Sequence, residues 1–435
     1  MLRRWRSLAT QQSAHQTVEQ QQRPLPSSYR RLVARRTGDT FRDVAEMEEA
    51  PLPTPGEAEV LVRVLYAGVN GGCETFRCRG EYAFARNKGL PFFPLGAEGA
   101  GEVVAVGEGV TNLAVGQHVT FVGGGFSEYV IAKAAACWPI KEATPEAVAL
   151  TISGTVAATA LHAVAGLQRG ESLLVTAAAG ATGHFAVQLG LLAGCHVVAT
   201  CGGPKKAARL RELGVHRVID YTEEDVGLVL RSEYPQGVNV IYEGVGGPLQ
   251  RTAYASLAPA GRMLQVGYIS EYPHALGATS SSGSRRRAGA QDSTVQRDSN
   301  AGVDGSGDQR QAHQYQEPSQ GAETLPPPET AALDAPGPTL ARGASTPDEL
   351  PPNAELFWKG LVVEGQSGRT VFGQVWPKDR ADTLRCKALV FDLHAAGQLQ
   401  AWVDRTAGFE GVESIPDAVE YMLSGCCVGK VVVRL

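Results

Sequence analysis

The sequence predicts an α/β protein in which a doubly wound parallel sheet is joined to a smaller β-barrel. Three stretches carry that expectation. From Leu173 to Cys201 the chain reads as an apolar run, a glycine turn, an apolar helix and a second apolar run. Before it, EVLVRVLYAGVN, GAEGAGEVVAVGEGV, QHVTFVG and FSEYVIA alternate apolar and polar positions between glycine pairs, the pattern of a compact barrel rather than a parallel sheet. After it, strand-like and helix-like segments alternate through HRVIDY, NVIYEG, RMLQVGYI and GLVVEGQ, the last supplying a sixth strand.

A chain of 435 residues accommodates two full cores. Its formal net charge of -5 excludes the strongly basic surface that a nucleic-acid partner requires. No uninterrupted apolar run reaches the roughly 18 residues of a membrane span. The eight cysteines include no C-x-x-C pair, which argues against a disulfide framework or a zinc lobe and for a reducing compartment.

In chain order, residues 1–36 hold eight arginines against the single acid Glu19. An Arg-rich, acid-poor start of this kind reads as a transit peptide or a basic tail, set at residues 1–28. It implies the mitochondrion, with the cytoplasm, peroxisome or chloroplast as alternatives. Residues 29–150 and 385–435 are assigned to the barrel domain, and 151–274 and 351–384 to the parallel-sheet domain. Thr144-Pro145-Glu146 marks a helix start with a hydroxyl cap and a first-turn proline. Pro416 and Asp417 start another helix, whose apolar face is Ala418, Val419 and Met422 and which stops at Gly425. KVVVRL closes the chain as a strand returning to the barrel. Between the two halves of the sheet domain, residues 275–350 contain seven Leu, Ile, Val or Phe in 76 positions. So little apolar surface does not offset chain entropy, and a disordered insertion is expected.

The glycine turn points to a dinucleotide. Ala177, Gly180 and Gly183 are spaced to let the backbone approach a pyrophosphate, which meets the amides of the helix starting near Thr182. The second apolar run ends in Cys201-Gly202-Gly203-Pro204-Lys205-Lys206, with no acid to accept from the ribose hydroxyls and two lysines to meet a 2'-phosphate. NADPH is therefore the expected cofactor.

Taken in order, the barrel, the AAAGATG turn, VIYEGVGG, GRMLQVGYIS and the closing GVESIPDAVEYMLSGCCVGKVVV resemble the medium-chain dehydrogenase/reductase superfamily. Within it they are similar to the zinc-free quinone oxidoreductase and prostaglandin reductase branch. The resemblance covers about residues 30–274 and 354–435. It implies a GroES-like catalytic barrel, a Rossmann sheet and a homodimer. It places Thr182 at the pyrophosphate, Tyr221 beside the 2'-phosphate, and Gly244, Val266 and Tyr272 along the nicotinamide half. Zinc-dependent members carry Gly-His-Glu where this chain has Gly96-Ala97-Glu98, and alanine has no lone pair to offer a metal. Two departures stand out. Gly202 replaces a serine that binds the 2'-phosphate, leaving more of that contact to Lys206 and Tyr221, and Cys427 replaces a cofactor-contacting asparagine.

The expected reaction is hydride transfer from NADPH to the β-carbon of an α,β-unsaturated carbonyl, followed by protonation of the enolate, or the equivalent reduction of a quinone. Tyr272 is the candidate for touching substrate or delivering a proton, with a role as aromatic wall as the alternative. Asn70 is the candidate for a hydrogen bond near the nicotinamide, and the loop after it, GGCETFRCRGEY, is expected to border the substrate. The competing reading is a non-catalytic NADPH-binding interaction module.

Overall fold

The expected helix start at Thr144 begins the element around which both domains pack, Pro145–Val164. In the computed structural model, Thr144 Oγ1 accepts from the Ala147 amide at 3.1 Å and Pro145 occupies the first turn. The structure describes residues 24–79, 93–272, 339–341, 350–358, 360–373, 375 and 379–435. By length and composition this helix is apolar enough to cross a membrane, yet most of it is buried within the protein. Leu150, Ala157, Ala158, Ala160 and Leu161 pack against Phe185, Leu173 and Val390 in the main core. The run is interrupted by Thr and Ser, two of which bond back to helix carbonyls: Thr151 Oγ1 donates to Ala147 O at 2.7 Å and Thr155 Oγ1 to Leu150 O at 3.2 Å.

The first part of the chain forms β1 (Ser28–Ala34), β2 (Ala45–Pro51), β3 (Glu59–Gly68), β4 (Phe93–Pro94), β5 (Glu98–Val106), β6 (His118–Val122), β7 (Tyr129–Lys133) and β8 (Trp138–Ile140). β1 pairs antiparallel with β2 and β4, and β3 is flanked by β5 and β7. Alternate residues of β3, Val60, Val62 and Val64, are buried with Val103, Val119 and Phe121, as a half-buried strand requires. The segment after Asn70 differs from expectation: Gly71–Arg79 is a helix, not a loop.

The parallel sheet contains β9 (Ser172–Val175), β10 (His196–Cys201), β11 (Arg217–Asp220), β12 (Val238–Glu243) and β13 (Leu257–Gln265), followed by β14 (Thr339–Ala341), β15 (Leu361–Glu364) and β16 (Thr370–Phe372). Its order is β11-β10-β9-β12-β13-β16-β15-β14. The first six strands form the doubly wound order 3-2-1-4-5-6, whose crossovers carry helices to both faces. GLVVEGQ is not the sixth parallel strand. That place belongs to Thr370–Phe372, and Leu361–Glu364 lies antiparallel beside it. A tight turn through Ser367, at φ +57°, reverses the chain between them.

Both predicted boundaries between the barrel and the sheet domain fall inside helices. The helix Arg380–Ala395 spans the 384/385 boundary and packs on Pro145–Val164, which spans 150/151. The return to the barrel begins instead at β17 (Val403–Asp404) and ends with β18 (Lys430–Arg434), antiparallel to β3. Most of the expected 275–350 insertion and residues 1–23 lie outside the described residues. Thr339–Ala341, within that stretch, is ordered by parallel pairing with β15.

Candidate functional site

The glycine turn lies where β9 hands over to the helix Gly183–Leu192. Ala177 takes φ +47°, and a Cβ on Gly183 would lie 2.3 Å from its carbonyl oxygen, so only glycine fits at 183. The Gly180 amide donates back to Ala177 O at 2.9 Å, closing the turn. Thr182 is the N-cap without a side-chain cap bond, so the helix start offers amides to a ligand, although that of His184 already reaches Gly180 O at 3.3 Å. The closing segment of the chain is fastened to this cradle: the Gly429 amide donates to Ala179 O at 2.8 Å, and Gly180 bridges Gly429.

At the end of β10, Gly202 faces the phenol of Tyr221. A Cβ on Gly202 would meet the Tyr221 hydroxyl at 2.5 Å, so the tyrosine fills the space a serine side chain would enter. Lys206 donates to Gly425 O, joining the helix Pro204–Glu212 to the closing segment. Lys205 diverges from it into a separate cleft of about 490 Å³ with Arg209 and Trp402, where the Arg209 guanidinium lies 4.6 Å over the indole. The two lysines that are neighbours in sequence therefore meet different surroundings. Asp220, which the sequence did not single out, holds the ends of β10 and β11 together: Oδ1 accepts from Gly203 N at 2.8 Å and Thr222 Oγ1 at 2.7 Å. Cys427 is half-buried near Lys206, its thiol pushed up in pKa by burial and drawn back by the lysine charge.

Gly244, Val266 and Tyr272 come together beyond the ends of β12 and β13. The Gly244 amide donates to Thr176 Oγ1 at 2.9 Å and the Val266 amide to Glu243 O at 2.7 Å. Tyr272 is buried, and its ring centroid lies 5.2 Å from both Phe76 and Tyr268. Burial holds its phenol well above the ordinary tyrosine range, and its hydroxyl accepts from the Tyr268 amide at 3.5 Å. Burial keeps this phenol protonated and makes it a weaker acid than a solvent-exposed tyrosine. Asn70 also differs from expectation. Its Nδ2 donates to Glu98 Oε1 at 2.8 Å and its Oδ1 accepts from Lys430 Nζ at 2.7 Å, so both ends of the amide are engaged inside the fold.

Glu98 and Lys430 form a fully buried ion pair at 2.5 Å, and Glu98 Oε2 accepts from the Ile152 amide at 2.8 Å. Drawing that amide off the helix ladder accounts for the wide turn at Leu150–Gly154. Both residues lie in motifs that the sequence shows, Glu98 in Gly96-Ala97-Glu98 and Lys430 in the closing segment, but their pairing across 332 positions left no local signal. Ala97, beside Glu98, is buried and has no donor atom. Among the described residues, no group of three or more His, Cys, Asp or Glu is placed to hold a metal. The open helix amides, Lys206 and Tyr221, and the Gly244 turn fit a dinucleotide laid across the ends of β9, β10 and β12.

Comparison with known proteins agrees with this architecture. The alcohol dehydrogenase GroES-like domain family matches residues 56–142 and the zinc-binding dehydrogenase family matches residues 181–287. Prostaglandin reductase-3 of Bos taurus is 40% identical over 270 residues, 61% of this chain and 71% of that protein. A probable quinone oxidoreductase of Leishmania amazonensis is 39% identical over 250 residues, 57% of this chain and 72% of that one. The structure of Escherichia coli quinone oxidoreductase complexed with NADPH superposes with a TM-score of 0.64 at 20% identity, covering 93% of this chain and 100% of that one.

Proposed function

We propose that this chain, which belongs to the medium-chain dehydrogenase/reductase superfamily, reduces the conjugated double bond of α,β-unsaturated carbonyls, or a quinone, with NADPH. The observation that carries this reading is the juxtaposition of the Gly244 turn with a wall of Phe76, Tyr268 and Tyr272. An aromatic wall beside the cofactor cleft suits a flat, conjugated substrate better than a small alcohol. Ala97 leaves the position of the family's catalytic metal ligand without a lone pair, which favours an acceptor that needs no Lewis acid. The names of the similar proteins, prostaglandin reductase-3 and quinone oxidoreductase, support the same class of acceptor.

When bound, NADPH supplies a hydride from its nicotinamide. The chain's own contribution is placement and electrostatics. The open amides after Gly180 bind the pyrophosphate, Lys206 and Tyr221 hold the 2'-phosphate, and Gly244 and Val266 line the nicotinamide side. Asn70 acts through Glu98 and Lys430, fixing the end of β3 and the start of the Gly71–Arg79 helix against the closing strand. The aromatic wall offers a flat apolar face to the conjugated system of the acceptor. Protonation of the α-carbon falls to solvent, because the buried Tyr272 phenol keeps its proton.

NADPH oxidation by the purified protein, followed spectrophotometrically with an enal, an enone fatty acid, a 15-oxo-prostaglandin and a quinone, tests the proposal. Turnover with at least one of these acceptors is expected. Binding of NADPH without turnover of any of them would sink it.

A further inference from the structure

His184 lies in the first turn of the helix Gly183–Leu192, is fully buried, and has no part in the chemistry described above. Its imidazole spans two segments 218 positions apart: Nδ1 lies 2.9 Å from Gly180 O, and Nε2 lies 3.0 Å from the Trp402 amide nitrogen. A backbone N–H only donates, so Nε2 is the acceptor, and the single ring hydrogen sits on Nδ1 and is donated to Gly180 O. The ring is thereby fixed as one neutral tautomer. Burial, helped by the Arg209 charge, pushes its pKa down to about 3. The imidazole also stacks parallel to the Trp402 indole, with centroids 5.3 Å apart.

These two bonds close a circuit around the cofactor cradle. Trp402 O accepts from the Lys430 amide at 2.8 Å, and the Gly429 amide returns to the turn at Ala179 O, also at 2.8 Å. One helical turn on, Gln188 already docks the same segment, accepting from the Gln400 amide at 2.7 Å and donating to Gln400 O at 2.9 Å. What His184 adds is therefore the tie to the glycine turn itself. Gly180 O is drawn toward the buried imidazole, by a bond shorter than the 3.3 Å one from the His184 amide. Released from that bond, a carbonyl in a glycine turn is free to rotate toward the cleft and set its partial negative charge against a pyrophosphate.

We propose that His184 is a positioning residue for the pyrophosphate of the cofactor: as a donor it holds the Gly180 carbonyl out of the cleft, and as an acceptor it ties the turn to the closing segment. The proposal rests on the NADPH reading given above. NADPH and NADH share the pyrophosphate, so His184 acts on both alike, whereas Lys206 answers to the 2'-phosphate of NADPH alone. Its effect comes through hydrogen bonds of a neutral ring, so no histidine titration enters it between pH 6 and pH 8.

The experiment has two arms. The first is fluorescence titration of wild type, His184→Phe and His184→Asn with NADPH and with NADH. His184→Phe keeps a flat ring against Trp402 but neither hydrogen bond, and it should raise both dissociation constants about tenfold while leaving their ratio unchanged. His184→Asn sets an amide N–H where Nδ1–H was and should recover most of that loss. If His184→Phe does not fold, His184→Gln takes its place, since it keeps an acceptor for the Trp402 amide and lacks the donor to Gly180. The second arm is 15N NMR of the cofactor-free protein with labelled histidine, the His184 signals being identified by their loss in a variant. Nδ1 should be protonated and Nε2 bare, without change from pH 6 to pH 8. Unchanged dissociation constants in a folded donorless variant, a loss confined to NADPH, an equal loss in His184→Asn, or a His184 ring that titrates or carries its hydrogen on Nε2 overturns the proposal. Failure of wild type to bind either nucleotide overturns the cofactor reading instead, with the NMR arm still deciding on the bridge.

Discussion

Gly183 and Lys430 show how much single positions carry. Ala at 183 would drive a Cβ into a backbone oxygen 2.3 Å away, so the turn itself must open. Gly183→Ala is expected to weaken NADPH binding at least tenfold and to lower Tm, read by fluorescence titration and calorimetry. Lys430 is a different case, a charge out of water compensated by Glu98 and Asn70. Lys430→Met strands Glu98 and should cost about 3 to 5 kcal/mol in urea unfolding, whereas the double variant Glu98→Leu with Lys430→Met should recover much of that loss. Equal loss in the single and double variants would show that the pair is not the source. The sequence announced Gly183 through its spacing. It placed Lys430 in the closing motif but gave no sign of its pairing, which depends on Asn70 and Glu98 some 360 and 332 positions away.

Elements were legible where local chemistry set them. The cap at Thr144, the apolar face of Ile415–Leu423 and the stop at Gly425 follow from neighbouring residues and stand as expected. The exchange of roles between Leu361–Glu364 and Thr370–Phe372 did not, because both are short and β-branched and only pairing with β13 separates them. The helix Pro204–Glu212 also sorts its two lysines by tertiary contact, Lys206 toward Gly425 and Lys205 toward the Trp402 cleft. Lys206→Ala should therefore raise the Kd for NADPH about tenfold and leave that for NADH nearly unchanged. Lys205→Ala should change neither by more than about twofold. Equal effects of the two substitutions would restore the paired-lysine pocket.

Across the whole molecule, burying Glu243 costs stability in a defined pH window. Its folded pKa of about 7 lies above the ordinary 4.5, so the folded chain holds the proton more tightly than the unfolded one. The associated stability is complete below about pH 4.5 and is lost as pH rises to about 7, on the order of 3 kcal/mol in total. Urea unfolding of wild type at pH 5 and pH 8, each referred to Glu243→Gln, should show the wild type losing ground at the higher pH, and an unchanged difference would contradict it. The sequence by itself determined the two-domain α/β plan, the glycine cradle, the missing ribose-binding acid and the alanine at the metal position, because each is a matter of residue type at short spacing. Only the tertiary structure decided that Asn70 is locked to Glu98 and Lys430, that Tyr221 fills the space beside Gly202, and that Glu243 knots the loops of the nicotinamide side. Buried polar groups draw their partners from wherever the fold delivers them, and that information resides in distance through space rather than along the chain.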